Sequence, residues 1–350
     1  EASDIHYHIY TARESHEYFK KRIAILEKYT KVHFYFFDDI PFGNGTLEQT
    51  IENGDPALIK HNVGRVTVQH LLSSLPKNSA VVILDSDLII TDGTFARMHD
   101  LRMQGKRAVM TLAMRLNEKT AAPLLRQNLE AYLQPRDLVR LCLNHMHPSF
   151  KKFYHNSSQP TSYMCQVNWR VENNEGGQVG MISHGLFPYP LMVIPDQSSG
   201  DFGKNFFSTH DYDYALRAVS DDEDIYLSQC SDEIMISKMS HESYRNDNAT
   251  VDSINAKYLA YFIFFNSNIR HRLFIDQPIR FVADEGGNWD AVRAEAKDFI
   301  ENSYKTIELM MDHLPSKDLR MMMYLKSFLG PIGDYISPQL SVSYKKWLQW

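Results

Sequence analysis

Ala80-Val-Val-Ile-Leu-Asp85-Ser-Asp87-Leu-Ile-Ile90 is the stretch on which the reading of this chain turns. Five apolar residues run unbroken into two carboxylates, the pattern of a strand buried on both faces that ends at a polar edge. Residues i and i+2 of an extended chain point the same way, so Asp85 and Asp87 can approach one cation. Hard divalent ions such as Mn²⁺ or Mg²⁺ take carboxylate oxygens and complete their shell with substrate phosphates. Without a cation, two neighbouring carboxylates oppose each other's ionisation. An Asp-x-Asp alone is more often a pair of solvated loop acids; the apolar run before it favours a metal site.

Upstream, Ile5–Tyr10 alternates and reads as a first strand, and residues 14–29 carry Tyr18, Phe19, Ile23, Ile25 and Leu26 at helical spacing. Val32–Phe37 reads as a second strand, closed by Asp38-Asp39 and a Pro/Gly/Asn loop, and a helix is expected over 56–75. Strand, helix, strand, helix, strand predicts an α/β fold: a Rossmann-like, mostly parallel sheet with helices on both faces, whose ligands bind beyond the carboxyl ends of the strands. Downstream the pattern predicts a helix near 94–104, a strand at 108–113, mainly helix over 118–154, and loops with irregular strands over 160–200. A helix from Tyr212 and short strands at Ile225-Tyr-Leu and Ile234-Met-Ile follow, then Met-rich helix from about 253.

Composition sets the class. The 350 residues are 43% hydrophobic and 23% charged, as in globular proteins, and the net charge of −6 shows no basic excess for nucleic acid. Cys142, Cys165 and Cys230 form neither a disulfide framework nor a metal knuckle, which predicts a reducing, cytoplasmic setting, peripheral at a membrane at most. A Golgi lumen stays open if an anchor has been removed, because the chain opens on Glu and reads as a fragment. The longest apolar run, Tyr258–Phe265, is too short for a transmembrane segment. His145 and His147 lack partners for a zinc set and read as surface, and Gly176, Gly177 and Gly180 read as turns.

The order of Ile5–Thr11, a second strand ending in Asp38-Asp39, an Asn62-x-Gly64-Arg65 helix start and a strand ending Asp85-Ser86-Asp87 resembles the nucleotide-sugar domain of GT-A glycosyltransferases. The resemblance is to the glycogenin-like and bacterial polysaccharide-type branches, over residues 5–115 and more loosely 160–245. It implies a GT-A catalytic domain over 1–250, with a nucleotide-sugar half (1–115) and an acceptor half (116–250), and a helical extension over 251–350. It implies that Asp87 ligates the metal bridging the donor diphosphate, while Asp85 meets the ribose or assists the metal beside Ser86. Tyr10 and Thr11 would flank the nucleobase, Asp38 would face the nucleotide, and Asn62 and Arg65 would approach the phosphates or sugar, with Arg13 a second basic candidate. By analogy the donor is a UDP-sugar and the acceptor a glycan or other hydroxyl; His241 is the expected third metal ligand, with His210 and His184 as rivals.

Two later acidic clusters are candidates for the catalytic base: Asp211 and Asp213 before a helix, and Asp232-Glu233 before an apolar run. Helix capping accounts for the first pair equally well. A haloacid-dehalogenase-type phosphatase with Asp85 as nucleophile is a rival, although its motif normally opens the fold and continues into Gly. A non-catalytic carbohydrate-binding transferase relic is another.

Overall fold

The computed structural model describes residues 5–312 apart from 43–44, 54–62, 65, 69, 72–73, 77, 128–131, 197–214, 217, 245–250 and 268. The chain divides into two compact units, one of residues 1–79 with 194–218, the other of 80–193 with 219–350.

In the first unit, β1 (His6–Thr11) and β2 (Lys31–Phe36) pair in parallel, joined through α1 (His16–Ile23). The alternation that predicts β1 holds, shifted by one residue. The expected 14–29 helix is helical over His16–Ile23, with one-turn 3-10 segments at 13–15 and 26–28, and Ile25 is 62% exposed. A small hairpin, β3 (Pro41–Phe42) with β4 (Gly45–Thr46), leads into α2 (Leu47–Asn53). Ile40, Leu47 and Val66 form the core here, with Tyr10, Phe37, Ile51 and Val63 against them. The described residues between Val63 and Ser74 are mostly helical, in line with the second expected helix.

The second unit opens with β5 (Val81–Val82), the strand that runs into the acidic pair, followed by β6 (Leu88–Ile90). Then come α3 (Thr94–Met103), β7 (Ala108–Thr111), β8 (Met114–Asn117), α4 (Glu118–Gln127), α5 (Pro135–Asn144) and α6 (Pro148–Lys151). The chain continues through β9 (Gln166–Glu172), β10 (Gln178–Gly185), β11 (Tyr189–Val193), β12 (Ile225–Leu227) and β13 (Ile236–Ser240). Then follow α7 (Ala256–Asn266), α8 (Arg272–Ile275), β14 (Ile279–Val282) and α9 (Trp289–Asp312). Three sheets result, in the orders β12-β7-β11-β5, β6-β13-β8 and β14-β10-β9.

The architecture is mixed α/β, and the expectation of a mostly parallel sheet is corrected. Among the described strands only β1–β2, β7–β12 and β8–β13 pair in parallel; the other pairings are antiparallel. The apolar run before Asp85 is strand only at Val81–Val82, and Leu84 is 37% exposed. Its neighbour is the antiparallel β11, which Pro188 and Pro190 disguise as loop. Pro190 is tolerated because the β11–β7 register shifts beside it.

Residues 160–200, expected to be irregular, hold the longest of the described strands, β9 and β10. Gly176 takes φ 79° in the β9–β10 turn, where a side chain would be strained. Gly180 is not in a turn but inside β10, where a Cβ would press on the Trp289 ring and lie 2.6 Å from the Phe281 carbonyl oxygen. The region after 251 is likewise not purely helical. Its β14 extends the β9–β10 sheet, and α9 lays Trp289, Val292, Ala296 and Ile300 into the core with Trp169 and Ile182.

Candidate functional site

The acidic pair is held by backbone on both sides. β11 runs antiparallel to β5 with Met192 opposite Val82, and the Ile83 amide donates to the Leu191 carbonyl at 3.3 Å. That register carries Tyr189 to the point where Asp85 leaves the strand. On the other side β13 pairs antiparallel with β6, and the Met239 amide donates to the Asp87 carbonyl at 2.8 Å. The turn between the two strands closes with the Leu88 amide on the Asp85 carbonyl at 3.0 Å. Asp85 and Asp87 are both half-buried and Ser86 is exposed.

Both carboxylates act on one phenol. Burial pushes the Tyr189 hydroxyl far above its ordinary pKa, and the charges of Asp85 and Asp87 push it the same way. It therefore stays protonated and donates to the Ile83 carbonyl at 3.0 Å. The Lys238 ammonium sits on the Asp85 carboxylate and 4.5 Å over the Tyr189 ring. Lys238 stands opposite Arg115 in the parallel β13–β8 ladder, so the two share a sheet face. Arg115 bonds to Ser240 and stacks 4.4 Å over Tyr244. Lys238 and Arg115 are absent from the sequence reading. Their signal lies in register, which is set by strands more than 100 residues from the acids.

His241, the expected third ligand, follows β13 two residues past Met239. Its Nδ1 bonds to the Ser243 hydroxyl at 2.7 Å, and it does not form a three-ligand cluster with Asp85 and Asp87 among the described residues. His184 is a core residue, donating from Nδ1 to the Ile275 carbonyl at 2.6 Å. His147, read as surface, is only 1% exposed: Nδ1 caps α6 by accepting the Ser149 amide, and Nε2 donates to the His241 carbonyl at 3.1 Å.

Of the candidate bases, Asp232 is gripped by Arg136 at 2.6 Å. Glu233 is held by Arg97 and by the Tyr226 hydroxyl, which lies 2.7 Å from each carboxylate oxygen. Both carboxylates are thus committed to holding strands and helices together. Asp211, Asp213, His210, Asn62 and Arg65 lie outside the described residues. Tyr10, Thr11, Arg13 and Asp38 belong to the first unit. There Arg13 makes a two-pronged bond to Asp38, at 2.7 and 3.0 Å, and reaches Asp39 at 2.7 Å, holding the Asp38 carboxyl below the usual carboxylate range. Tyr10 bonds through its hydroxyl to His70 at 3.0 Å, and Thr11 is buried.

Comparison with protein-family models, with curated proteins and with solved structures found no match to this chain. No described helix is long and apolar enough to cross a membrane, and the three cysteines are free.

Proposed function

We propose that the chain is a nucleotide-sugar-dependent glycosyltransferase of the GT-A type, which moves a sugar from a UDP-sugar to a glycan or other hydroxyl. The observation that carries the reading is the turn after β5 that sets Asp85 and Asp87, both half-buried, side by side, with a cation already seated on Asp85. That cation is the Lys238 ammonium on Asp85, and its place suits a divalent ion such as Mn²⁺ or Mg²⁺ that Asp85 and Asp87 would hold together. When bound, the ion supplies Lewis-acid stabilisation of the leaving diphosphate.

The protein's own groups have distinct parts in this reading. Asp85 and Asp87 would hold the ion, with water and donor phosphate oxygens completing its shell. Lys238 neutralises Asp85 until the ion arrives, then joins Arg115 in offering positive charge to phosphate oxygens as their charge grows. Tyr189, kept protonated and donating to the Ile83 carbonyl, stays neutral and adds no third anion.

The test is a thermal shift and a hydrolysis assay with UDP-sugars. UDP with Mn²⁺ stabilises the wild type, and Asp87→Ala abolishes that gain and lowers Mn²⁺-dependent donor hydrolysis by at least about 100-fold. Stabilisation that persists in Asp87→Ala refutes the metal assignment. A phosphoaspartate mimic that binds through Asp85, with no response to any UDP-sugar, favours the phosphatase instead.

A further inference from the structure

A second cluster of metal-binding groups lies on the β1–β2 ladder, far in sequence from the acidic pair. His6 and His8 are alternate residues of β1 and share a face, and His33 of β2 stands directly opposite His8. One ligand nitrogen from each of the three lies within 4.8 Å of the others. His6 Nδ1 and His33 Nε2 are 2.9 Å apart. Two imidazole nitrogens bound tetrahedrally to one ion at about 2.05 Å stand about 3.3 Å apart, so an ion would replace this His6–His33 hydrogen bond at nearly the same spacing and release its proton.

His8 supplies the independent sign of a missing ligand. Its Nδ1 is occupied by the Tyr35 hydroxyl at 3.3 Å, the kind of outer partner that fixes an imidazole's orientation for a metal. Its Nε2 is buried and finds no hydrogen-bond partner among the described residues. A buried polar atom left unsatisfied is costly, and a metal bond is one way to satisfy it. The rings stack on one another, His6 on His33 at 5.0 Å and His8 on His33 at 4.9 Å, so the three are already gathered.

We propose that His6, His8 and His33 form a binding site for a borderline transition-metal ion of the Zn²⁺ class, clipping β1 to β2 and leaving a fourth position for water. No carboxylate belongs to the cluster. Imidazole suits Zn²⁺, Ni²⁺ and Cu²⁺, whereas Mn²⁺ and Mg²⁺ favour oxygen ligands. The site is thus chemically distinct from Asp85 and Asp87, and it stands whether or not the transferase reading does.

The experiment uses full-length protein without a polyhistidine tag, stripped with chelator and titrated with Co²⁺ and then Zn²⁺. One equivalent of Co²⁺ should give the intense visible bands of a tetrahedral site, and Zn²⁺ should displace them. His33→Gln and His6→Gln, checked by circular dichroism for native folding, should each weaken Zn²⁺ binding more than 100-fold, beyond the 10–100-fold typical of losing an outer partner. Asp85→Asn/Asp87→Asn should bind Zn²⁺ as the wild type does. Weak octahedral Co²⁺ bands alone, or folded His variants that bind Zn²⁺ within about twofold of wild type, overturn the proposal.

Discussion

Lys238 competes for the place that the proposed metal would take, and Lys238→Met measures that competition. The ion pair with Asp85 has side chains 21% and 24% exposed, between the surface and the interior. Exposed pairs contribute about 0–1 kcal/mol, and removing one partner of a fully buried pair costs about 3–5 kcal/mol. About 2 kcal/mol is therefore the expected loss in the metal-free protein. For a unit of about 250 residues this lowers Tm by about 4–8 °C. The same ammonium must leave Asp85 before an ion can use both carboxylates, so its removal should tighten Mn²⁺ binding by a comparable free energy, about 30-fold. At saturating Mn²⁺ the Tm deficit should close. Melting curves across a Mn²⁺ series, with calorimetric titration of both proteins, read the two effects separately. Mn²⁺ binding that is unchanged or weaker in Lys238→Met, or a deficit that persists at saturation, refutes the reasoning.

Glu233→Gln should cost about 1–2 kcal/mol in urea unfolding by breaking the grip of Arg97, while leaving Mn²⁺-dependent stabilisation as in wild type; loss of turnover at undiminished stability would instead mark Glu233 as the base. His184 is buried, and burial lowers its pKa from 6.5, so the native state holds it neutral while the unfolded chain binds a proton below that value. Its contribution is then complete above about pH 6.5 and drains away as pH falls from there toward the folded pKa. Urea unfolding between pH 5 and 7.5 should show this slope in wild type and a flatter one in His184→Gln, and equal slopes would remove His184 as the cause.

The sequence discloses those parts of the fold that are local. β1 and β2 follow from alternation, and α3 and α5 from helical spacing, because each pattern is complete within one segment. What stays hidden depends on partners distant along the chain. The run before Asp85 looks like a central parallel strand, but whether its neighbour runs parallel or antiparallel is decided at Tyr189–Val193, inside a segment that two prolines make look like loop. Gly180 looks like a turn because the cause of its glycine is Trp289, 109 residues away. Arg13 and Asp38 were each legible as polar candidates at strand tips, but not as partners of one another. Lys238, in the strand Ile236-Ser-Lys-Met-Ser240, is a half-buried cation whose partner can be found only by laying β13 beside β6.

Backbone placement of the acidic pair also decides how cleanly the proposal can be tested. The groups that fix the turn are the Asp85 carbonyl, which receives the Leu88 amide, and the Asp87 carbonyl, which receives the Met239 amide. Neither bond uses a side chain, so Asp85→Asn and Asp87→Asn change charge while keeping the turn's own hydrogen bonds. The Lys238 contact is the exception, and it makes the two positions unequal: Asp85→Asn also strands an ammonium over the Tyr189 ring, whereas Asp87 has no ion pair among the described residues to lose. A metal held by both carboxylates predicts that the two variants lose Mn²⁺ response together but differ in metal-free stability, with Asp85→Asn the weaker fold. Equal metal-free stability would mean that the Lys238–Asp85 pair contributes nothing, and with it would go the argument that a cation belongs at that place.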